Sequence, residues 1–196
     1  MKKYQIIYAD PPWEYKASDC LAKRSCLSGQ HNNHYNYMSA QNLKELDVES
    51  IADKNCILFM WTASPKLDEA VMLGQAWGFT YCTIGFVWDK QEVNPGYYTL
   101  SQIEICLIFR KGNIPAPRGQ RNIRQFLSEK RGRHSRKPPE IRARIVQMFP
   151  NQTKIELFAR KPNLLFDAEG FNSWDVWGNE VKSDIELECS DERIEK

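Results

Sequence analysis

Apolar residues fall in short runs set between polar stretches, and the runs carry the period of strands more often than of helices. Tyr4–Ala9 is rich in β-branched and aromatic residues and predicts a buried strand. Cys56–Trp61 is a continuous apolar run and predicts another, followed by Tyr81–Asp89, Glu104–Arg110 and Lys154–Phe158. Helical patterns lie between them. Ser39 caps one through about Leu46, and a short turn follows from Asp47 to Ala52. Ser64-Pro65 opens a second with serine at the N-cap, presents Leu67, Ala70, Val71 and Gly74 on one face with Trp77 continuing it, and ends at Gly78. Lys137-Pro138-Pro139-Glu140 opens a third, which sets Ile141, Ile145, Val146 and Phe149 on or near one face before Pro150 stops it. Strands alternating with helices argue an α/β fold, a doubly wound parallel sheet. Three stretches show no period: Glu14–Met38, Lys90–Gln102 and Gly112–Lys137. They read as loops, and loops this long in compact domains are usually functional.

At 196 residues and 42% hydrophobic composition the chain suits one domain with a sizeable core. The net charge of +2 does not by itself announce a polyanion partner, but its distribution does. From Arg110 to Arg144 twelve Lys/Arg face two acids, and the last fourteen residues carry six acids against Arg193 and Lys196. A basic middle and an acidic end suggest nucleic acid contacts and a solvated tail. Arg118, Arg121, Arg124, Lys130, Arg131, Arg133 and Arg136 read as phosphate ligands on a glycine-containing backbone, with Arg118, Arg121 and Arg133 taken as substrate contacts. No signal peptide or apolar span of membrane length appears, so the expectation is a cytoplasmic protein, or one of the host cytoplasm if phage-encoded. Cys56, Cys82 and Cys106 lie in strand-like runs and read as small core hydrophobes rather than disulfide partners. Cys20, Cys26, His31 and His34 are spaced outside the usual zinc patterns, so no metal is expected.

The candidate chemistry sits where the first strand stops. Asp10-Pro11-Pro12-Trp13 is a stiff corner, because each proline fixes φ and removes an N–H. Carboxyl ends of parallel strands are where α/β folds bind ligands. The corner offers a carboxylate, backbone carbonyls and a flat ring. That set suits an exocyclic amine on a planar base: Asp10 and the Pro11 carbonyl accept its two N–H groups, and Trp13 or a nearby tyrosine stacks. Accepting both hydrogens favours the tetrahedral nitrogen that an attacking amine needs, and a charge-assisted bond of this kind contributes about 1.5–3 kcal/mol. Tyr35, in the long first loop, is a candidate for stacking on the base.

Asp10-Pro11-Pro12-Trp13 resembles the catalytic motif of the adenine-N6 methyltransferases, in particular the family of the methyltransferase-A seventy-kilodalton subunit and its bacterial and phage members. Tyr35-Asn36-Tyr37-Met38-Ser39, Leu58-Phe59-Met60-Trp61, Glu104-Ile105-Cys106-Leu107, Ser135-Arg136-Lys137-Pro138 and Lys154-Ile155-Glu156-Leu157-Phe158-Ala159-Arg160 match in the family's order, from about Tyr4 to Val181. The resemblance implies a Rossmann-like, S-adenosylmethionine-dependent methyltransferase fold with the permuted, β-class-like motif order. It assigns catalysis to Asp10, Pro11, Pro12 and Trp13, and places Glu104 near the bound nucleoside. Asp10, Pro11, Lys137, Phe158, Arg160, Asn163, Asn179 and Glu180 become cofactor contacts. The family usually has a strand and a short acidic turn before the catalytic strand; here the chain begins three residues before it, so the expectation is that other segments complete the cofactor's adenine pocket or that this is a minimal version.

The expected function is therefore methylation of adenine N6 in nucleic acid, DNA rather than RNA because of the small size. Residues 1–182 form the methyltransferase domain, with 14–38 and 111–137 as its active-site and nucleic-acid loops, and 183–196 form the acidic tail. A homodimer or a related partner subunit is the expected protein partner, with no membrane. An RNA methyltransferase, a cytosine-N4 methyltransferase, an inactive nucleic-acid-binding subunit and a plain binding module are the competing readings.

Overall fold

A computed structural model of the chain describes residues 2–14, 38–96, 98–132, 136–160 and 174–187. Strands β1 (Tyr4–Ala9), β2 (Ala52–Ala63), β3 (Thr80–Pro95), β4 (Leu100–Lys111), β5 (Phe126–Ser128), β6 (Lys154–Leu157) and β7 (Asp175–Trp177) form one sheet in the order β5-β3-β4-β2-β1-β6-β7. Helices α1 (Ala40–Glu45), α2 (Val48–Ile51), α3 (Leu67–Ala76) and α4 (Pro139–Met148) connect them.

Successive strand residues point to opposite faces, and both faces are covered. Ile7, Ala9, Leu58, Met60, Leu107, Phe109, Ile155 and Leu157 share one apolar layer with residues of α1, α2 and α3. Ile6, Tyr8, Ile57, Phe59, Trp61, Phe86 and Trp88 share the other with Ile141, Ile145 and Phe149 of and beside α4. This is a doubly wound α/β sheet. Ser39 caps α1 as expected, accepting from the Asn42 N–H at 3.1 Å, and Gly78 takes a left-handed φ of +82° after α3.

Four expectations need correction. The sheet is not wholly parallel: β4 runs antiparallel to β2 and β3. Its link to β3 is a tight hairpin, which only antiparallel neighbours accept. That hairpin also takes in most of Lys90–Gln102, expected as a loop. Its arms pair through Asn94↔Ser101 and Pro95↔Leu100 but stay exposed, so no apolar alternation marks them. Ser64 makes no side-chain cap; Ser64–Lys66 is a 3₁₀ turn, and α3 begins at Leu67. Cys56 and Cys106 are buried free thiols, but Cys82 is exposed, at a register shift of the β3–β4 pairing between Tyr81 and Thr83. Within the stretch expected as a tail, 183–196, the described residues 183–187 contact the domain. Asp184 donates its N–H to the Val176 carbonyl at 2.9 Å, and Ile185 and Leu187 pack on the core.

Candidate active site at the carboxyl edge of the sheet

β1 lies between β2 and β6, parallel to both, so Asp10 emerges at the centre of the sheet's carboxyl edge. The proline corner is fixed by backbone bonds. The Trp13 N–H donates to the Pro11 carbonyl at 2.9 Å, and the Met38 N–H donates to the Pro12 carbonyl at 3.2 Å. A carbonyl has two lone pairs, so the Pro11 oxygen keeps acceptor capacity beyond its bond to Trp13. Trp13 departs from expectation. It is 7% exposed, lies in the apolar layer under α1, and donates its indole N–H to the Trp61 carbonyl at 3.2 Å. As placed, the ring braces the corner from below rather than offering an open face for stacking.

Four charges alternate across the edge. The Lys137 ammonium lies 2.8 Å from Asp10 Oδ1 and 2.9 Å from Oδ2. It also lies 3.2 Å from Glu104 Oε2, while Lys90 lies 3.3 Å from Glu104 Oε1. The Lys137 ammonium sits 5.6 Å from the centre of the Trp61 ring, within cation–π range. The order acid–base–acid–base explains how charges at this depth persist, since a buried charge must be paired. Burial pushes the Glu104 carboxyl up, but the Lys137 and Lys90 ammoniums outweigh it and hold the group below its usual range. Burial pulls Lys137 down, and Asp10 and Glu104 more than reverse that. The structure thus brings Asp10, Lys137 and Glu104 together from β1, the approach to α4, and β4. Lys137 reaches the edge because the two prolines after it turn the chain into α4 there.

Beside this trio a cleft is lined by Tyr8, Asp10, Lys137, Glu156, Phe158 and Arg160, with Arg136, Pro139 and Arg142 at its side. Phe158 ends β6 with φ +60°, in the left-handed region that a bulky residue rarely occupies. Many sheet edges use glycine for such a turn; here packing holds a phenylalanine in it. Its ring stacks on Trp77 at 6.5 Å and meets Trp177 edge-on at 5.4 Å. The ring belongs to the core. Gly178 then crosses close above: a Cβ there would meet the Ala159 carbonyl at 2.6 Å and its nitrogen at 2.7 Å. Gly178→Ala must therefore move backbone at the cleft wall. The expected cost is about 1–3 kcal/mol, read as a lowered melting temperature; an unchanged melting temperature would contradict the packing.

Several site residues were not singled out in the sequence. Arg142 pairs with Glu156 at 3.1 Å and lies 5.0 Å over the Trp174 ring. Tyr8 accepts a hydrogen bond from the Trp61 indole at 2.7 Å, and burial pushes its phenol well up, so it stays neutral. Glu156 interrupts the apolar run Lys-Ile-Glu-Leu-Phe, and that interruption was the available signal.

The expected nucleic-acid residues separate. Arg118 stacks over Phe149 at 5.6 Å, just past the far end of α4 from Lys137. Gln120, beside Arg121, donates its N–H to the Gln147 carbonyl at 2.8 Å, at the same far end. Neither Arg118 nor Arg121 lies at the carboxyl edge. Lys130 and Arg131 do, because β5 runs parallel to β3 and carries the chain back there, where the Arg131 N–H meets the Lys90 carbonyl at 3.2 Å. Asn179 and Glu180 are exposed in the turn after β7, at the same edge as Asp10. Tyr35, Arg133 and Asn163 lie outside the described residues, as do Cys20, Cys26, His31 and His34. Among the described residues no group of three His, Cys, Asp or Glu is set to hold a metal, and no helix is long and apolar enough to cross a membrane.

A doubly wound sheet with its cleft at the carboxyl edge, beside a proline-locked aspartate, defines an α/β domain of the S-adenosylmethionine-dependent methyltransferase type. The chain belongs to the MT-A70 family, whose model matches residues 4–180. It is 46% identical to the type II methyltransferase M.MunI of a Mycoplasma species, over 92% of this chain and 78% of that protein. It is 24% identical to the human N(6)-adenine-specific methyltransferase METTL4, over 92% of this chain and 38% of that protein. Against the human N(6)-adenosine-methyltransferase catalytic subunit METTL3 the figures are 23%, 91% and 28%. The chain thus spans well under half the length of these two human relatives.

Proposed function

We propose that this chain transfers the methyl group of S-adenosylmethionine to the exocyclic N6 of adenine in nucleic acid, with DNA as the favoured substrate. The observation that carries the proposal is the Asp10 carboxylate at the strand end, held by Lys137 at 2.8 Å on the rim of the cleft. Family membership and the similarity to a type II methyltransferase support the reaction class and the DNA preference.

The donor set of the cleft fits the cofactor's chemistry. S-adenosylmethionine carries a carboxylate, an ammonium, a sulfonium and a ribose diol. Arg160, Arg136 and Lys137 are cations suited to the carboxylate, and Asp10 and Glu156 are acids suited to the cationic groups and the diol. Phe158 would contribute backbone rather than ring, since its ring is packed. Asn179 and Glu180 would contact the ribose or the carboxylate. When bound, the cofactor supplies an activated methyl group on sulfur.

The protein's own part is positioning and electrostatics. Asp10 and the Pro11 carbonyl accept the two N–H groups of the amine and orient its lone pair. The positive charge that develops on nitrogen is stabilised by the Asp10 carboxylate. Lys137 must leave at least one Asp10 oxygen for the amine, and Glu104 Oε2 is the acceptor it can keep. Rigid prolines prevent the corner from relaxing. A duplex substrate must flip its base, at a cost of a few kcal/mol.

Incubation with labelled S-adenosylmethionine and matched DNA or RNA tests the proposal. Label in DNA is expected, label only in RNA would reassign the substrate, and label in neither would remove the proposal. The edge cations make a second prediction. Replacing Lys130 and Arg131 with glutamine should weaken DNA binding and flatten the salt slope by roughly two, about one per phosphate contact. Replacing Arg118 and Arg121 should leave that slope nearly unchanged; the opposite ranking of the two pairs would show that DNA follows another path.

A further inference from the structure

Along β3 the side chains entering the second face of the sheet are Phe86, Trp88 and Lys90, which are 2%, 1% and 6% exposed. The alternation puts an ammonium where packing asks for a third apolar group. Lysine is almost never buried unless paired. The partner is on the neighbouring strand. Trp88 stands opposite Glu104 in register, so Lys90, two residues on, is its diagonal neighbour on the same face. The ammonium lies 3.3 Å from Glu104 Oε1.

The backbone around Lys90 is specially shaped. Its carbonyl accepts the Arg131 N–H at 3.2 Å. The next residue, Gln91, has φ +55°, and the β3–β4 register slips between Asp89 and Asn94. Irregularities of this kind re-aim a side chain, and they gather beside active sites. Glu104 consequently has one ammonium on each oxygen: Lys90 on Oε1 and Lys137 on Oε2. Lys137 is in turn shared with Asp10.

We propose that Lys90 is a positioning residue for amine methylation: it fixes the Glu104 carboxylate so that Oε2 anchors Lys137, which sets the Asp10 carboxylate at the strand end. The inference rests on the methyltransferase reading above. Among the described residues, the groups facing Glu104 are Lys90 from β3 and Lys137 from the approach to α4. Beyond Lys137 stand Asp10 on β1 and the Trp61 ring on β2. Cys106, on the same strand as Glu104, has its thiol pushed well up by burial and stays neutral, as does Tyr8. Removing the Lys90 charge leaves Lys137 alone to oppose burial, so the Glu104 carboxyl should titrate at higher pH.

Lys90→Met in the full chain should lower kcat about ten- to hundredfold, the scale of a hydrogen bond to a charged group. The KM for S-adenosylmethionine should stay close to wild type, and the acidic limb of the pH–rate profile should move to higher pH. Lys90→Arg should restore the limb. In a Glu104→Gln background the added Lys90→Met should change neither rate nor limb. Wild-type activity in Lys90→Met, an unmoved limb, or the same loss in both backgrounds would overturn the inference. If Lys90→Met does not fold, Lys90→Gln removes the charge with less loss of polarity. The Glu104 carboxylate followed by ¹³C NMR gives a readout independent of turnover: its midpoint must rise in the variant, and an unchanged midpoint would overturn the role assigned to Lys90. If the wild type transfers no methyl group while that midpoint still rises, the methyltransferase reading fails and the Lys90–Glu104 coupling stands.

Discussion

Asp10→Ala should abolish methyl transfer while the protein still folds and still binds S-adenosylmethionine through Glu156, Arg160 and the other groups of the cleft. Removing one preorganised group from a developing charge typically costs a hundred- to a thousandfold in rate, about 2.7–4 kcal/mol. Here the loss should reach at least that range, because Asp10 also orients the amine. The fold should survive. The Pro11 and Pro12 carbonyls keep their backbone bonds, Trp13 keeps its bond to Trp61, and Lys137 keeps Glu104. Calorimetric titration with S-adenosylmethionine and a melting curve separate loss of chemistry from loss of structure. Turnover within a few-fold of wild type would refute the role given to Asp10.

The second large effect is expected for Lys137→Met. The substitution leaves Asp10 and Glu104, with side chains only 19% and 13% exposed, sharing an edge without the cation between them. Breaking a buried pair from one side typically costs about 3–5 kcal/mol. Lys90 still holds Glu104, so the lower part of that range is expected, together with a large loss of activity. The pH dependence has a definite sign. Glu104 is held below its ordinary value in the folded protein, so its contribution to stability is present above the unfolded carboxyl pKa, about 4.3, and is lost as pH falls through the lower folded value. Lys137 is held above its ordinary value, so its contribution is full below about 10.4 and is lost as pH rises through the higher folded value. Neutral pH lies on the plateau between them. In Lys137→Met the share of the alkaline loss carried by Lys137 should disappear, leaving that of the buried Tyr8 phenol and Cys106 thiol, and the acid loss from Glu104 should shrink, measured as urea midpoints across pH. Stability curves that superimpose on wild type would contradict the assignment.

What could be read from the sequence follows from what leaves a local trace. β1, β2, β6, α1 and α4 bury continuous or periodic apolar faces, and the proline corner names its own geometry, so these were legible. The β3–β4 hairpin arms were not, because backbone pairing at an exposed edge imposes no apolar period. Asp10, Glu104 and Lys137 were each visible, the last two through the family motifs. That one lysine would bridge the two acids depends on three elements meeting. Lys90 left a faint mark, a charge at the third buried position of Phe86–Trp88–Lys90. The split of the basic stretch was hidden, since sequence gives the charge of Arg118 and Lys130 alike but not that β5 returns only the latter to the site. Phe158 was expected as a cofactor contact by likeness to the family; its left-handed φ and the packing of its ring on Trp77 and Trp177 left no trace in the sequence.

On the function proposed above, the carboxyl-edge corner grips an exocyclic amine and directs it to a methyl donor. The most direct measurement is nucleoside analysis by mass spectrometry of DNA incubated with the wild-type chain and isotopically labelled S-adenosylmethionine. Labelled N6-methyladenine is the product expected of this proposal. Label on cytosine, on a ring carbon, or on no nucleoside at all would contradict it.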